Sequence, residues 1–238
     1  MIRDTKAFLI GLVMMISFMG IYAYMMSPSF GDGRNGLEFA DDMFNSISKG
    51  SVYNVIQGEI KKVDSWQGNT IDVTLTGTDE EQAARWTAAL QRVNGAEVSQ
   101  AEKTVIFKGD LGALLINISE DCSYMFQNNG DALKQKYNAD PREVTNRWYN
   151  ISKAVVKDLD KQAKFKESIA IQQYQKKVIE PSYNYYGVDS KQVSENKGIM
   201  TFMMLFYLVY TMWYGFAIYY LCQGFGITMS KSGKKQEA

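Results

Sequence analysis

The sequence contains no histidine. That absence excludes bis-histidine haem, imidazole-bound zinc, Ser-His and Cys-His nucleophilic pairs and the usual protonation switch near neutral pH. Neither charge is in surplus: 26 basic and 26 acidic side chains give a formal net charge of zero. A general nucleic-acid binder needs cationic excess to meet the phosphate backbone, so no nucleic-acid partner is expected. Cysteine is limited to Cys122 and Cys222. There is no Gly-rich phosphate loop, no CxxC pair and no paired-carboxylate pattern, so neither a cofactor nor a metal is expected.

What is present is concentrated at the two ends. The mean hydropathy of the 238 residues is only -0.25, which excludes a polytopic transporter hydrophobic from end to end. Residues 7–26 nevertheless form an uncharged run, AFLIGLVMMISFMGIYAYMM, long enough to cross a hydrocarbon core of ~30 Å. Residues 199–222, IMTFMMLFYLVYTMWYGFAIYYLC, form a second. The first run exceeds a usual signal-peptide h-region, and Pro28 follows Ser27, the only small residue at its end. It therefore reads as an uncleaved signal anchor. Arg3 and Lys6 precede the first span and Lys231, Lys234 and Lys235 follow the second, whereas Asp32, Glu38, Asp41 and Asp42 dominate just after the first. The positive-inside rule then places residues 1–6 and the basic tail 223–238 in the cytoplasm of a bacterial inner membrane, with residues 27–198 outside. Lys191 and Lys197 oppose this at the second span, but long loops translocate largely regardless of charge. Cys122 and Cys222 fall on opposite sides of such a bilayer and cannot pair. Cys122 sits on the apolar face of an expected helix, as a buried thiol would.

Between the spans the pattern predicts an α+β domain over 27–140 and a long amphipathic helix over 141–180. A Tyr-rich juxtamembrane linker over 181–198 completes the outer part. The segment SPSFGDGRNG is turn-rich, and Leu37, Ala40, Phe44 and Ile47 then share a helical face ending at Gly50. Val52–Val63 reads as a poorly alternating strand and Thr70–Thr76 as a clean one, with Ile71, Val73 and Leu75 on one side. Thr78 and Glu81 form a capping box for a helix with Ala83, Trp86, Leu90 and Val93 inward. A strand follows at Thr104–Lys108, then a helix opened by Asp110. The segment IDVTLTGTDEEQAARWTAALQRVNGAEV resembles the strand-turn-helix core of BON domains, which implies an association with envelope or phospholipid surfaces. Asp140-Pro141-Arg142-Glu143 specifies a helix start, and no breaker occurs until Pro181. Residues 27–140 carry a net charge of -7 and residues 141–198 a net of +4. Packing of the basic stretch against the acidic unit explains this division, with anionic head groups or an acidic partner as the alternative.

Chemistry is sparse. Ser46-Ile47-Ser48-Lys49 matches the S-x-x-K string of penicillin-recognising enzymes, but their other motifs are missing, and a helix end explains it. The strings Asp32-Gly-Arg-Asn-Gly and Asn128-Asn-Gly-Asp131 hold calcium-type residues without EF-hand spacing and read as turns. In the spans, Ala7 and Gly11 form a small-xxx-small pair, and Tyr207, Tyr210 and Tyr214 recur on one helical face, where lipid offers a phenol no partner. These five are the candidate partner-facing residues, by packing either between the two spans or with other subunits. Tyr183, Tyr185 and Tyr186 suit an interfacial belt. The sequence thus points to a non-catalytic accessory or structural subunit of a membrane protein complex. Its expected partners are other membrane subunits, the lipid bilayer and a second copy of itself. An extracytoplasmic ligand sensor serving a transporter, kinase or protease is the alternative; membrane proteases of the AAA family resemble it in layout. A membrane-anchored envelope enzyme ranks third.

Overall fold

A computed structural model describes residues 2–191 and 193–227. The helices are α1 (Thr5–Met25), α2 (Gly36–Lys62), α3 (Glu80–Leu90), α4 (Leu111–Phe126), α5 (Gly130–Tyr137), α6 (Pro141–Lys161), α7 (Phe165–Tyr174), α8 (Glu180–Asn184) and α9 (Val193–Gly224). The strands are β1 (Thr70–Thr76), β2 (Glu97–Ala101) and β3 (Thr104–Asp110). The described residues are therefore mixed and helix-rich, with one small three-stranded sheet. It divides into two units, Met1–Phe44 with Lys191–Ala238, and Asn45–Ser190.

In the first unit, α1 and the Asn196–Gly224 part of α9 are long and apolar enough to cross a membrane. Asp4 caps α1 by accepting the Ala7 N–H at 3.0 Å. The two helices pack antiparallel. Phe8 meets Phe225, the Trp213 indole donates to the Met14 carbonyl at 3.1 Å, and Phe18 stacks on Tyr210 at 4.3 Å. Close approach is set by glycine, because a Cβ on Gly11 would lie 2.6 Å from the Leu221 nitrogen. After α1 the chain turns through left-handed Gly31, Asp32 and Gly33, and Arg34 pairs with both Asp32 (2.7 Å) and Asp42 (2.6 Å). The calcium-type string here thus carries its own cation. Asn35 then caps α2, with Glu38 reaching back to the Asn35 N–H in a capping box.

The expected strand at Val52–Val63 is a correction, since α2 continues through Gly50 to Lys62. Val52, Ile56, Ile60 and Val63 recur at three- and four-residue spacing, and burial of that stripe outweighs the ~1 kcal/mol that an interior glycine costs. The sheet has the order β1-β3-β2 and is antiparallel throughout. Ile71, Val73 and Leu75 on β1 and Val105 and Phe107 on β3 turn into the core, facing Trp86, Leu90, Leu114, Ile118, Trp148 and Ile151 from the helices. The open edge of β1 is covered by α6: Asp158 accepts the Thr74 N–H at 3.0 Å and Gln162 donates to the Asp72 carbonyl at 2.7 Å. Strand β2, which the alternation pattern missed, is a short edge strand with only Val98 half-buried.

Asp79, one residue later than expected, caps α3 by accepting the Gln82 N–H, while Gln82 reaches back to the Thr78 N–H. Asp110 caps α4 as anticipated. Gly112 lets α4 lie on the turn at residues 63–67, where a Cβ would sit 2.7 Å from the Gln67 nitrogen.

The single helix expected over 141–180 is also corrected. Helix α6 stops at Lys161, and α7 folds back against it within the same core. Ala163 holds a left-handed φ of 58°, the Lys164 N–H bonds the Leu159 carbonyl and the Ala163 N–H bonds that of Asp160. This is a Schellman motif with alanine where glycine is usual, so composition carried no warning of it. Pro181, the expected breaker, is instead accommodated. Gln175–Ile179 forms one π-turn, which supplies the slack that the missing proline N–H demands, and α8 continues through it.

Candidate functional site

Ala7 and Gly11 are both buried in the seam with α9, where Ala217 is also buried. The small-residue stripe is used inside the pair. The three tyrosines on α9 differ. Tyr207 is 69% exposed and Tyr214 44% exposed, whereas Tyr210 is sandwiched between Phe18 and Phe206. The Tyr210 hydroxyl is enclosed with no hydrogen-bond partner among the described residues. Lys231, Lys234 and Lys235, which helped to orient the second span, lie outside the described residues.

The other tyrosines belong to the second unit. Tyr185 and Tyr186 pack half-buried against its core, and Tyr183 is exposed. The Arg142 guanidinium lies 5.3 Å from the Tyr183 ring and 5.5 Å from that of Tyr186. The Tyr185 ring meets Phe126 edge-on. Residues 181–190, expected as a linker, are therefore part of the domain.

What secures them is Lys49, the lysine of the S-x-x-K string, which is only 3% exposed. Its ammonium donates to Asn128 Oδ1 (3.0 Å) and to the carbonyls of Tyr185 (3.0 Å) and Val188 (2.6 Å), and lies 5.0 Å from the Phe126 ring. All three of its protons are used. Burial pulls its pKa below the usual lysine value, with Asp189 acting the other way. Asn128, left-handed at φ 61°, also accepts the Gly187 N–H at 2.8 Å. The turn expected at Asn128-Asn-Gly-Asp131 is confined to its first half: Asn129 is the N-cap of α5, and Gly130 and Asp131 are its first two residues.

A second polar centre was not foreseen. Asp121 of α4 is 1% exposed and accepts three hydrogen bonds: from Lys136 (2.8 Å), the Tyr137 hydroxyl (2.5 Å) and the Trp148 indole (2.7 Å). Burial opposes the charge on Lys136, but its bonds to Asp121 and Glu120 outweigh that and raise its pKa. Burial, reinforced by Asp121, pushes the Tyr137 phenol up. The available signal was an acid beside Ile118, Cys122 and Met125 on an apolar helix face. Cys122 is buried as expected, and burial pushes its thiol up.

Two surface cavities lie against α6. One of about 180 Å³ lies between α6 and α8 and is lined mainly by apolar surface, with Tyr149, Ile179, Glu180 and Tyr183 among its walls. The other, about 80 Å³ and mostly polar, lies between α3 and α6 and is lined by Arg85, Trp86, Asn146 and Arg147. Both fall below the ~300 Å³ at which drug-sized ligand sites begin. Among the described residues no three acidic or cysteine side chains gather in a way that could hold a metal ion. Of the basic side chains beyond residue 140, Lys177 crosses to Glu59 at 2.8 Å, whereas Arg147 pairs within α6. No family model matches the chain, and no curated protein or solved structure matches it either.

Proposed function

We propose that this protein is a non-catalytic, two-pass subunit of a larger complex in a bacterial cytoplasmic membrane. In this reading α1 and α9 are its spans, both termini lie in the cytoplasm, and residues 27–198 form an extracytoplasmic interaction domain. The antiparallel α1–α9 pair supports a common side for the termini, and Arg3 and Lys6 favour the cytoplasmic one.

The observation that carries the reading is on α9. Its small-residue seam is spent on α1, and Tyr214 leans on the Phe18 ring at 5.0 Å, while Tyr207 stays 69% exposed near the middle of an apolar helix. Hydrocarbon cannot satisfy a phenol, whereas a polar group on a neighbouring helix can. Lys49, the side chain closest to a catalytic motif, is held by three acceptors and is a structural clasp.

The test is extraction in mild detergent, followed by mass measurement and photocrosslinking from a reporter placed at Tyr207. A stoichiometric membrane partner, crosslinked through Tyr207 and released by Tyr207→Leu with Tyr214→Leu, is the expected result. A monodisperse species at the 27.0 kDa of one chain, with no crosslink, would overturn the reading.

A further inference from the structure

The polar cleft between α3 and α6 holds an imbalance that the fold does not resolve. Arg147 is 9% exposed, yet its Nε is enclosed without a hydrogen-bond partner among the described residues. Among those residues its side chain donates to Glu143 alone, at 3.2 Å, and the Glu143 side chain is half exposed. On its other side the guanidinium leans on the Tyr137 ring at 5.8 Å, a ring already shared with Arg92 at 4.9 Å. A second guanidinium, that of Arg85, enters the cleft from α3, with one nitrogen on Glu81 at 2.6 Å. Each guanidinium carries five donor hydrogens, so most of this capacity is unspent. Gln82 and Asn146 add amides, and because the Gln82 oxygen is occupied by the Thr78 N–H, its NH₂ remains as a donor.

We infer that this cleft is a binding site for a phosphate group, with Arg147 and Arg85 as its two forks. The donors come from two helices, α3 and α6, and their number suits a tetrahedral oxyanion with several acceptor oxygens. The cleft is small, about 80 Å³, so only the phosphate group itself would enter it. The remainder of a phosphate ester would therefore lie outside the cleft. Glu143 and Glu81 each hold one guanidinium through a single contact, so the anion has two exposed carboxylates to displace. Free phosphate esters and phospholipid head groups share this chemistry.

The experiment uses the full chain in nonionic detergent, titrated calorimetrically with inorganic phosphate against chloride at matched ionic strength. Saturable binding with half-saturation at about 1 mM is expected. Arg85→Ala and Arg147→Lys should each weaken it about tenfold or more, the second because an ammonium keeps the charge but not the fork. Arg85 is 42% exposed in its side chain, so Arg85→Ala keeps the test valid if Arg147→Lys unfolds. Lys157→Ala, on an exposed part of α6, should change nothing. Glycerol 3-phosphate binding in detergent identifies a soluble ester. Slower hydrogen exchange over residues 82–86 and 143–150 in phosphatidic-acid nanodiscs, relative to phosphatidylcholine, identifies a lipid head group. The inference is overturned if neither arm gives a phosphate-specific response. It is also overturned if the response survives both arginine variants or falls equally with Lys157→Ala.

Discussion

Replacing Asp121 with asparagine keeps the shape of the side chain and changes only its charge and hydrogen-bonding pattern. In the native fold one carboxylate oxygen accepts from Lys136, and the other accepts from both the Tyr137 hydroxyl and the Trp148 indole. An amide offers one acceptor oxygen and an NH₂. In one orientation the NH₂ opposes the Trp148 N–H, which cannot accept; in the other it opposes an ammonium. One donor is orphaned either way. Loss of a charge-assisted hydrogen bond is worth ~1.5–3 kcal/mol and an unsatisfied buried donor ~1–3 kcal/mol, so Asp121→Asn should destabilise by roughly 3–5 kcal/mol. Domains of 150–250 residues lose ~2–4 °C in Tm per kcal/mol, which places the shift at roughly 6–20 °C. Urea unfolding of the detergent-solubilised chain at pH 7, followed by tryptophan fluorescence, measures this. Tyr137→Phe removes a donor together with its need and should cost less, ~1–2 kcal/mol. A loss below ~1 kcal/mol for Asp121→Asn, or the reverse order of the two variants, would refute the assignment of this carboxylate as the polar keystone of α4, α5 and α6.

Ala163→Gly should stabilise the domain by ~0.5–1 kcal/mol in the same assay, because glycine adopts the left-handed C′ position without the Cβ penalty. Gly11→Ile drives a side chain into the Leu221 backbone and should cost ~1–3 kcal/mol, visible as faster hydrogen exchange over residues 11–18. Glu59 is buried, which raises its pKa, but its bonds to Lys177 and Lys62 outweigh burial and lower the pKa overall. The stabilisation it provides is therefore complete above the ordinary glutamate range and lost as pH falls through its lowered value. An acid titration of Tm should be flatter for Glu59→Gln than for the native chain.

Several elements were legible because local signals and long-range packing agreed. The runs that became α1 and α9 needed only length and the absence of charge, and β1 alternated cleanly because one of its faces is buried. Asp110 and Asp140 supply capping carboxylates at their own helix starts. Where signals conflicted, packing prevailed: Gly50 looked like a helix end, but Ile56 and Val63 had a core to reach, so α2 passed through it. Ala163 and Pro181 carried the opposite of their usual meanings, one ending a helix and the other lying within one.

By itself the sequence determined the two apolar helices, their flanking charges, the existence of a mixed domain between them and the exclusion of imidazole chemistry. These depend on composition and on spacings of a few residues, which the chain carries wherever it folds. Only the tertiary structure decided that α6 and α7 double back, that Lys49 clasps residues 128, 185 and 188, and that Asp121 gathers three donors. It also brought Arg85 and Arg147, 62 positions apart, to one cleft. Such juxtapositions join residues far apart in sequence, and no local pattern encodes a partner that only folding brings within hydrogen-bond distance.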